Sequence, residues 1–141
     1  MFGPHLIMEA YGCEPSTLTS IDKLTDVLDN LPSNLGMTKI MPPYVFKYKG
    51  KVEEEWGLSG VVLIAESHIA FHTFPDQNNF LTVDIFSCKE FDVTEAVAKL
   101  AEIFKPTKYD HRLIMRGREY PRHIGKAGVI LETEREAKHV N

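Results

Sequence analysis

The sequence predicts an α+β fold: a two-layer sandwich in which an antiparallel sheet carries helices on one face. Two patterns lead there. In two separated stretches, from Pro15 to Leu31 and from Asp92 to Phe104, apolar residues recur at helical spacing. Between Leu58 and Cys88, β-branched segments follow one another with only turn residues between them, so neighbouring strands must run antiparallel. The 141 residues, 43% of them hydrophobic, suit one domain spanning 1–141.

Taken in order, His5–Tyr11 is apolar and stops at Gly12, as a strand would. Pro15-Ser16-Thr17 opens a helix whose stripe is Leu18, Ile21, Leu24, Leu28 and Leu31, and Pro32-Ser33-Asn34 is expected to end it. Met37–Ile40 and Tyr44–Tyr48 read as extended, with Pro42-Pro43 between them, and Lys49–Glu55 as a polar loop. Leu58–Glu66 is dense in Val and Ile and reads as a strand, followed by an extended Ile69–Phe74. Pro75–Asn79 is a cluster of turn residues, and Phe80–Cys88 alternates as a strand. Asp92 is placed to cap a helix carrying Val93, Val97, Leu100, Ala101 and Phe104, with Pro106 beyond its end. Tyr109–Arg116 reads as a last strand, and Glu132–Asn141 as a mobile tail.

Composition excludes several classes. A net charge of −4 with no basic run argues against nucleic acid as a partner. The longest apolar stretch, Val61–Ala65, is too short to span a membrane. Met1–His5 has neither the basic start nor the apolar run of a signal peptide, so a cytoplasmic protein is expected. Two cysteines, Cys13 and Cys88, form no CxxC pair and are expected as free thiols.

The chemistry-bearing residues concentrate in Gly57–Cys88. His68 and His72 have a zinc-like spacing only if helical. On a strand they stand about 13 Å apart, so no metal is expected. Ser67, His72 and Asp84 supply the residue types of a hydrolytic triad, but the Gly-x-Ser-x-Gly elbow is absent. A hairpin turning through Pro75–Phe80 puts Phe74 near Leu81 and, counting back, Ser67 opposite Cys88. A hydroxyl, an imidazole and a thiol from Ser67, His72 and Cys88 would then share one region of the sheet.

Glu66-Ser67-His68, His72-Thr73-x-Pro75 and Asp84-x-Phe86-x-Cys88, with Leu58-Ser59-Gly60-Val61-Val62 upstream and His5-Leu6-x-x-Glu9-x-x-x-Cys13 near the start, resemble the prokaryotic S-adenosylmethionine decarboxylases. The resemblance covers most of residues 3–117. It implies a zymogen that cuts itself between Glu66 and Ser67, leaving chains 1–66 and 67–141. Ser67 would become a pyruvoyl group, which forms a Schiff base with the substrate amine and acts as electron sink. The resemblance further implies that Ser59 and His72 serve processing, His72 as the base, and that Cys88 returns a proton to the α-carbon. It also implies a homodimer with active sites near the subunit interface, and a place in spermidine synthesis.

The family's usual HTWPE reads His72-Thr73-Phe74-Pro75-Asp76 here. Asp76 stands at the position resembling the acid that holds the ribose, and Phe74 is expected in the same pocket. Phe46, Tyr48 and Trp56 are candidates for stacking on the adenine, and such an aromatic also suits a sulfonium cation. The shorter acid at Asp76 and the Glu53-Glu54-Glu55 run keep open a pyruvoyl-dependent decarboxylase of arginine or ornithine on the same scaffold. An inactive relative serving as a binding or regulatory subunit is the non-enzymatic alternative, although Ser67, His72 and Cys88 are all present.

Overall fold

A computed structural model describes residues 3–117, so the expected tail at Glu132–Asn141 lies outside the described residues. The elements run β1 (Gly3–Tyr11), α1 (Pro15–Leu18), α2 (Ile21–Asn34), β2 (Tyr44–Lys49), β3 (Trp56–Ile64), β4 (Ser67–Phe74), β5 (Phe80–Ser87), α3 (Val93–Phe104) and β6 (Lys108–Arg116). The six strands form one antiparallel sheet in the order β2-β3-β4-β5-β1-β6. This is the expected α+β arrangement, with three helices in place of the two read from the sequence.

Period-two alternation decides which side of each strand is buried. Leu6, Met8 and Ala10 of β1, Ile69 and Phe71 of β4, and Leu81, Val83 and Ile85 of β5 lie in the core. They share it with Leu24, Leu28 and Leu31 of α2 and Val97, Leu100 and Phe104 of α3. Phe71 and Phe104 meet edge to face, 5.5 Å between ring centroids, an arrangement the ring quadrupoles favour. Thr73 is the polar residue on this side of β4. Its hydroxyl donates to the Leu18 carbonyl at 3.0 Å and accepts from the Leu58 N–H at 2.9 Å, which satisfies its burial.

The first helical stretch differs from the expected single helix. Ser20 caps α2 by accepting from the Lys23 N–H at 3.1 Å, and so divides the short α1 from it. Pro32 does not stop α2, which continues to Asn34. The stop is Gly36, at φ 71°, where Gly36 N–H reaches the Ser33 carbonyl and Met37 N–H the Pro32 carbonyl. That paired closure needs a left-handed residue, and glycine takes the conformation without a Cβ clash. Met37–Ile40 forms no named strand; a single bridge, Lys39 to Ile64, ties it to the end of β3. The third strand begins at Trp56 and ends at Ile64, earlier than expected, so that Ala65 and Glu66 make the turn into β4. Asp92 caps α3 as expected, accepting from the Glu95 N–H at 2.9 Å.

Two stability outcomes are expected. Phe71→Ala should lower the unfolding free energy by about 3–5 kcal/mol through lost burial and a residual cavity. Asp92→Ala should lower it by about 1 kcal/mol. Urea denaturation of each variant against the parent measures both.

Candidate functional site

The turn between β3 and β4 is held from two sides. On one side, the Glu66 carbonyl accepts from the Cys88 N–H at 2.7 Å. On the other, both oxygens of the Glu66 carboxylate lie 3.2 Å from the Thr38 N–H, and the residue is 5% exposed. Ser67 follows with φ 156°, in a region that residues other than glycine seldom occupy. Gly3 is packed against the same place. A Cβ built on it would fall 2.8 Å from the Cys88 Cα and closer still to the Ser87 carbonyl oxygen, so only glycine lets β1 approach here.

The register differs by one from the sequence count. Ser67 faces Ser87, not Cys88, because Phe74 pairs with Phe80 rather than Leu81. Asn78 and Asn79 both take the left-handed conformation, at φ 56° and 48°, and close the turn within Pro75–Asn79. Phe74 and Phe80 stack at 5.6 Å across its base. Cys88 lies just beyond the ladder, where its N–H is free to reach Glu66 rather than a partner of β4.

The imidazole of His72 is elsewhere. Ser59 and His72 are cross-strand partners, with Oγ and Nδ1 3.0 Å apart. Strand β4 is laddered continuously from Ser67 to Phe74 against β5, so no bulge re-aims His72 toward Ser67. Five positions of extended strand separate the two residues by about 16 Å. The structure therefore brings Ser67 beside Cys88, and His72 beside Ser59, but keeps the two pairs apart within one chain.

The Ser59–His72 pair forms part of the wall of a cleft of about 630 Å³. Tyr48, Trp56 and Phe74 give the cleft aromatic surfaces, and Glu54 and Glu55 give it acidic ones. Trp56 donates its indole N–H to the Asp76 carboxylate at 2.9 Å, and the Lys47 ammonium sits 4.7 Å from the Trp56 ring centroid. Asp76 thus belongs to the neighbouring cleft with Lys47, Lys49 and Lys51. Phe46 is the partner of Ser59 on β2 and packs on Tyr44 at 5.4 Å, but it does not line the larger cleft.

A third group surrounds Phe86. His5 and His68 approach its ring at 5.7 and 5.8 Å, and the Arg116 guanidinium lies 3.9 Å above it. His5 Nε2 is 3.0 Å from an Asp84 carboxylate oxygen. Burial, aided by the charges of His5 and Arg116 and opposed by Asp84, lowers the pKa of His68 below its ordinary value. Burial alone pushes the Cys13 thiol up to about 11, which leaves it an inert core residue.

The family model for S-adenosylmethionine decarboxylase matches residues 4–117. The chain belongs to that family. It is 34% identical over 110 residues to an S-adenosylmethionine decarboxylase proenzyme from Pyrococcus furiosus, covering 77% of this chain and 73% of the relative. It is 32% identical over 116 residues to the proenzyme of that name from Archaeoglobus fulgidus, covering 82% and 97%. The fold is similar to a crystal structure of the adenosylmethionine decarboxylase from Aquifex aeolicus, with a TM-score of 0.65, 26% identity, and coverage of 82% of this chain and 91% of that one.

Within this family frame, several site features have no mark in the motifs. The Cys88 and Thr38 N–H groups act through the main chain, which any residue but proline supplies. The Trp56–Asp76 bond joins residues twenty positions apart, and only the strand register brings them together. Of the acidic Glu53-Glu54-Glu55 run, Glu54 and Glu55 line the cleft.

The His68 environment has a consequence for stability. The folded chain holds fewer protons at His68 than the unfolded chain does, so folding favours the neutral ring. Stability therefore falls as pH drops through the ordinary histidine value of about 6.5, and levels off below the lower folded value. His68→Asn should flatten this part of the acid-side slope, as read by thermal melts between pH 5 and 7.5.

Proposed function

We propose that this chain is a self-processing decarboxylase of S-adenosylmethionine, cut between Glu66 and Ser67, with Ser67 the precursor of a pyruvoyl group. The observation that carries the reading is the turn itself. A peptide carbonyl held by one N–H at 2.7 Å is followed directly by a serine at φ 156°. The relatives' shared name, proenzyme, accords with it.

The chemistry follows from those atoms. The Ser67 hydroxyl attacks the Glu66 carbonyl carbon. The oxygen that gains charge is the one already bonded to the Cys88 N–H, which is where an oxyanion donor is most effective. The Glu66–Ser67 C–N bond breaks as the acyl group passes to oxygen, and the Ser67 amine is freed. A base then takes the Ser67 α-proton, and the ester C–O bond breaks to release the Glu66 carboxylate and leave dehydroalanine. Tautomerisation and addition of water expel ammonia and give the pyruvoyl group. Once present, that group supplies the electron sink for loss of carbon dioxide from an amino acid. The Cys88 thiol, partly exposed beside it, is the proton donor to the resulting α-carbon.

His72 is the base in this reading, and it cannot act from the same chain, at about 16 Å along one strand. A second copy supplies it. The sheet face away from the helices leaves Leu63 and Phe46 each 43% exposed, an apolar surface for a homodimer that brings one copy's Ser59–His72 pair to the other's Ser67. Substrate then occupies the 630 Å³ cleft that the pair borders. Trp56 and Phe74 offer faces to the adenine and the sulfonium, and Asp76, bonded to Trp56 in the adjoining cleft, takes ribose hydroxyls that reach past the indole. Phe46 lies at the edge of this surface, beside Ser59. Glu54 and Glu55 favour a cationic substrate, and they are the observation behind the second reading, arginine or ornithine. Two free cysteines suit a cytoplasmic enzyme, whose product would serve as aminopropyl donor for spermidine.

Intact mass of the purified protein tests the cut: two fragments split at Glu66/Ser67, the second bearing a pyruvoyl mass, are expected, and Ser67→Ala should stay whole. A wild-type chain that never cleaves under any condition would overturn the reading. Incubation with S-adenosylmethionine, arginine and ornithine under cyanoborohydride should trap an adduct of S-adenosylmethionine alone. For the shared site, Ser67→Ala and His72→Ala chains are mixed. Neither alone should mature, whereas the mixture should yield pyruvoyl on the His72→Ala chain. An inert mixture, in which both variants nonetheless form mixed dimers, would overturn the shared site.

A further inference from the structure

The self-cleavage above uses Glu66 only through its main chain, yet its side chain is among the few buried polar ones. A carboxylate withdrawn from water needs a compensating partner. Here both oxygens converge on the Thr38 N–H at 3.2 Å. The Thr38 carbonyl in turn accepts from the Ala65 N–H at 2.8 Å, and Ile40 N–H reaches the Leu63 carbonyl at 3.1 Å. Thr38 therefore grips both residues of the turn, one through each of its main-chain groups. A two-residue connection between strands needs no buried acid for its own sake, and an exposed polar residue would serve the turn as well.

What the bond adds is control of the peptide that follows. Ser67 sits at φ 156°, and rotation of the Glu66–Ser67 peptide plane would relieve it. That rotation would draw the Glu66 carbonyl off the Cys88 N–H. With its carboxylate fixed to one segment and its carbonyl to another, Glu66 has no free rotation left. Resting on the self-processing reading, we infer that the Glu66 side chain is a positioning residue for self-cleavage: bound to the Thr38 N–H, it holds the scissile carbonyl against Cys88 and keeps Ser67 in its unfavourable conformation. The two anchors also fall differently about the cut. Thr38 belongs with Glu66 to the segment before it, and Cys88 to the segment after it. The side-chain bond therefore survives cleavage, and keeps the new chain end docked.

The test is the rate of self-cleavage in a chase after cell-free synthesis of wild type, Glu66→Ala, Glu66→Asp and Glu66→Gln. Loss of the clamp should slow cleavage about ten- to a hundredfold in Glu66→Ala, the scale expected when a reacting group is misplaced by an ångström or so. Glu66→Asp keeps the charge but falls a methylene short, and should be slow as well. Glu66→Gln restores an acceptor oxygen at the right length, and should return to within about threefold of wild type on the same scale. Melting temperatures of the four proteins in a Ser67→Ala background, where none can cleave, separate positioning from folding. They should lie close together, and Glu66→Asp carries the test should Glu66→Ala not fold. Cleavage of Glu66→Ala or Glu66→Asp at the wild-type rate would overturn the inference while leaving self-processing intact. A wild-type chain that does not cleave would instead remove the reading on which it rests.

Discussion

The hydrogen bond from the Cys88 N–H to the Glu66 carbonyl joins the exit of β5 to the turn between β3 and β4, and the geometry of the site depends on it. It exists because β4 lies between β3 and β5, and the antiparallel pairing brings its entry and the exit of β5 to the same end of the strands. Its register is fixed far away, where Asn78 and Asn79 close the opposite turn and Phe74 stacks on Phe80. Slipping that hairpin by one would turn Ile69, Phe71 and Thr73 out of the core, so the buried face enforces the register. The position of one amide is thus set by the packing of a whole strand.

Much of the fold was legible because burial writes a period into sequence. The alternation in Phe80–Cys88 and the stripe from Leu24 to Leu31 located β5 and α2, and Asp92 marked the start of α3 through the side-chain bond it makes. Boundaries were less legible where two signals compete. Pro32 was read as a helix stop, but Gly36 carries the left-handed conformation that the closure requires. Ser20 has the chemistry of a cap, but Leu18 and Ile21 continue one apolar stripe across it and mask the break. The hairpin count failed by one because it took Phe80 as part of the turn, while its ring belongs to the ladder.

The site was legible in its residue types and illegible in its arrangement. Ser67, His72 and Cys88 stand out as reactive groups in a β-rich stretch, and the motifs around them carry the family. Their grouping was another matter, because five positions of extended strand hold His72 away from Ser67. Main-chain donors leave no mark at all. Thr38 was read as part of an extended segment, and its N–H turns out to hold the one carboxylate buried in the turn. Trp56 and Asp76 were both singled out as binding residues, but that one donates to the other follows only from the folded register.

The proposed cut between Glu66 and Ser67 would fall inside the sheet's chain path, and the strand order explains why it would not be destructive. The segment before Ser67 contributes β1, β2 and β3, and the described part after it contributes β4, β5 and β6. In the sheet these do not segregate. Strand β3 pairs with β4, and β1 inserts between β5 and β6, so three of the five ladders join one segment to the other. The core is shared as well, since Leu24, Leu28 and Leu31 of α2 and Leu100 and Phe104 of α3 lie in one cluster from opposite sides of the cut. Loss of a single covalent bond removes neither the ladders nor the buried surface, which supply the stability. It would free only the residue at the start of β4, where the turn holds Ser67 at φ 156°. A chain that made a reactive group from its own backbone, as proposed, would need a break site strained locally and tied down globally; the turn at Ser67 meets the first condition and the interleaved strands the second.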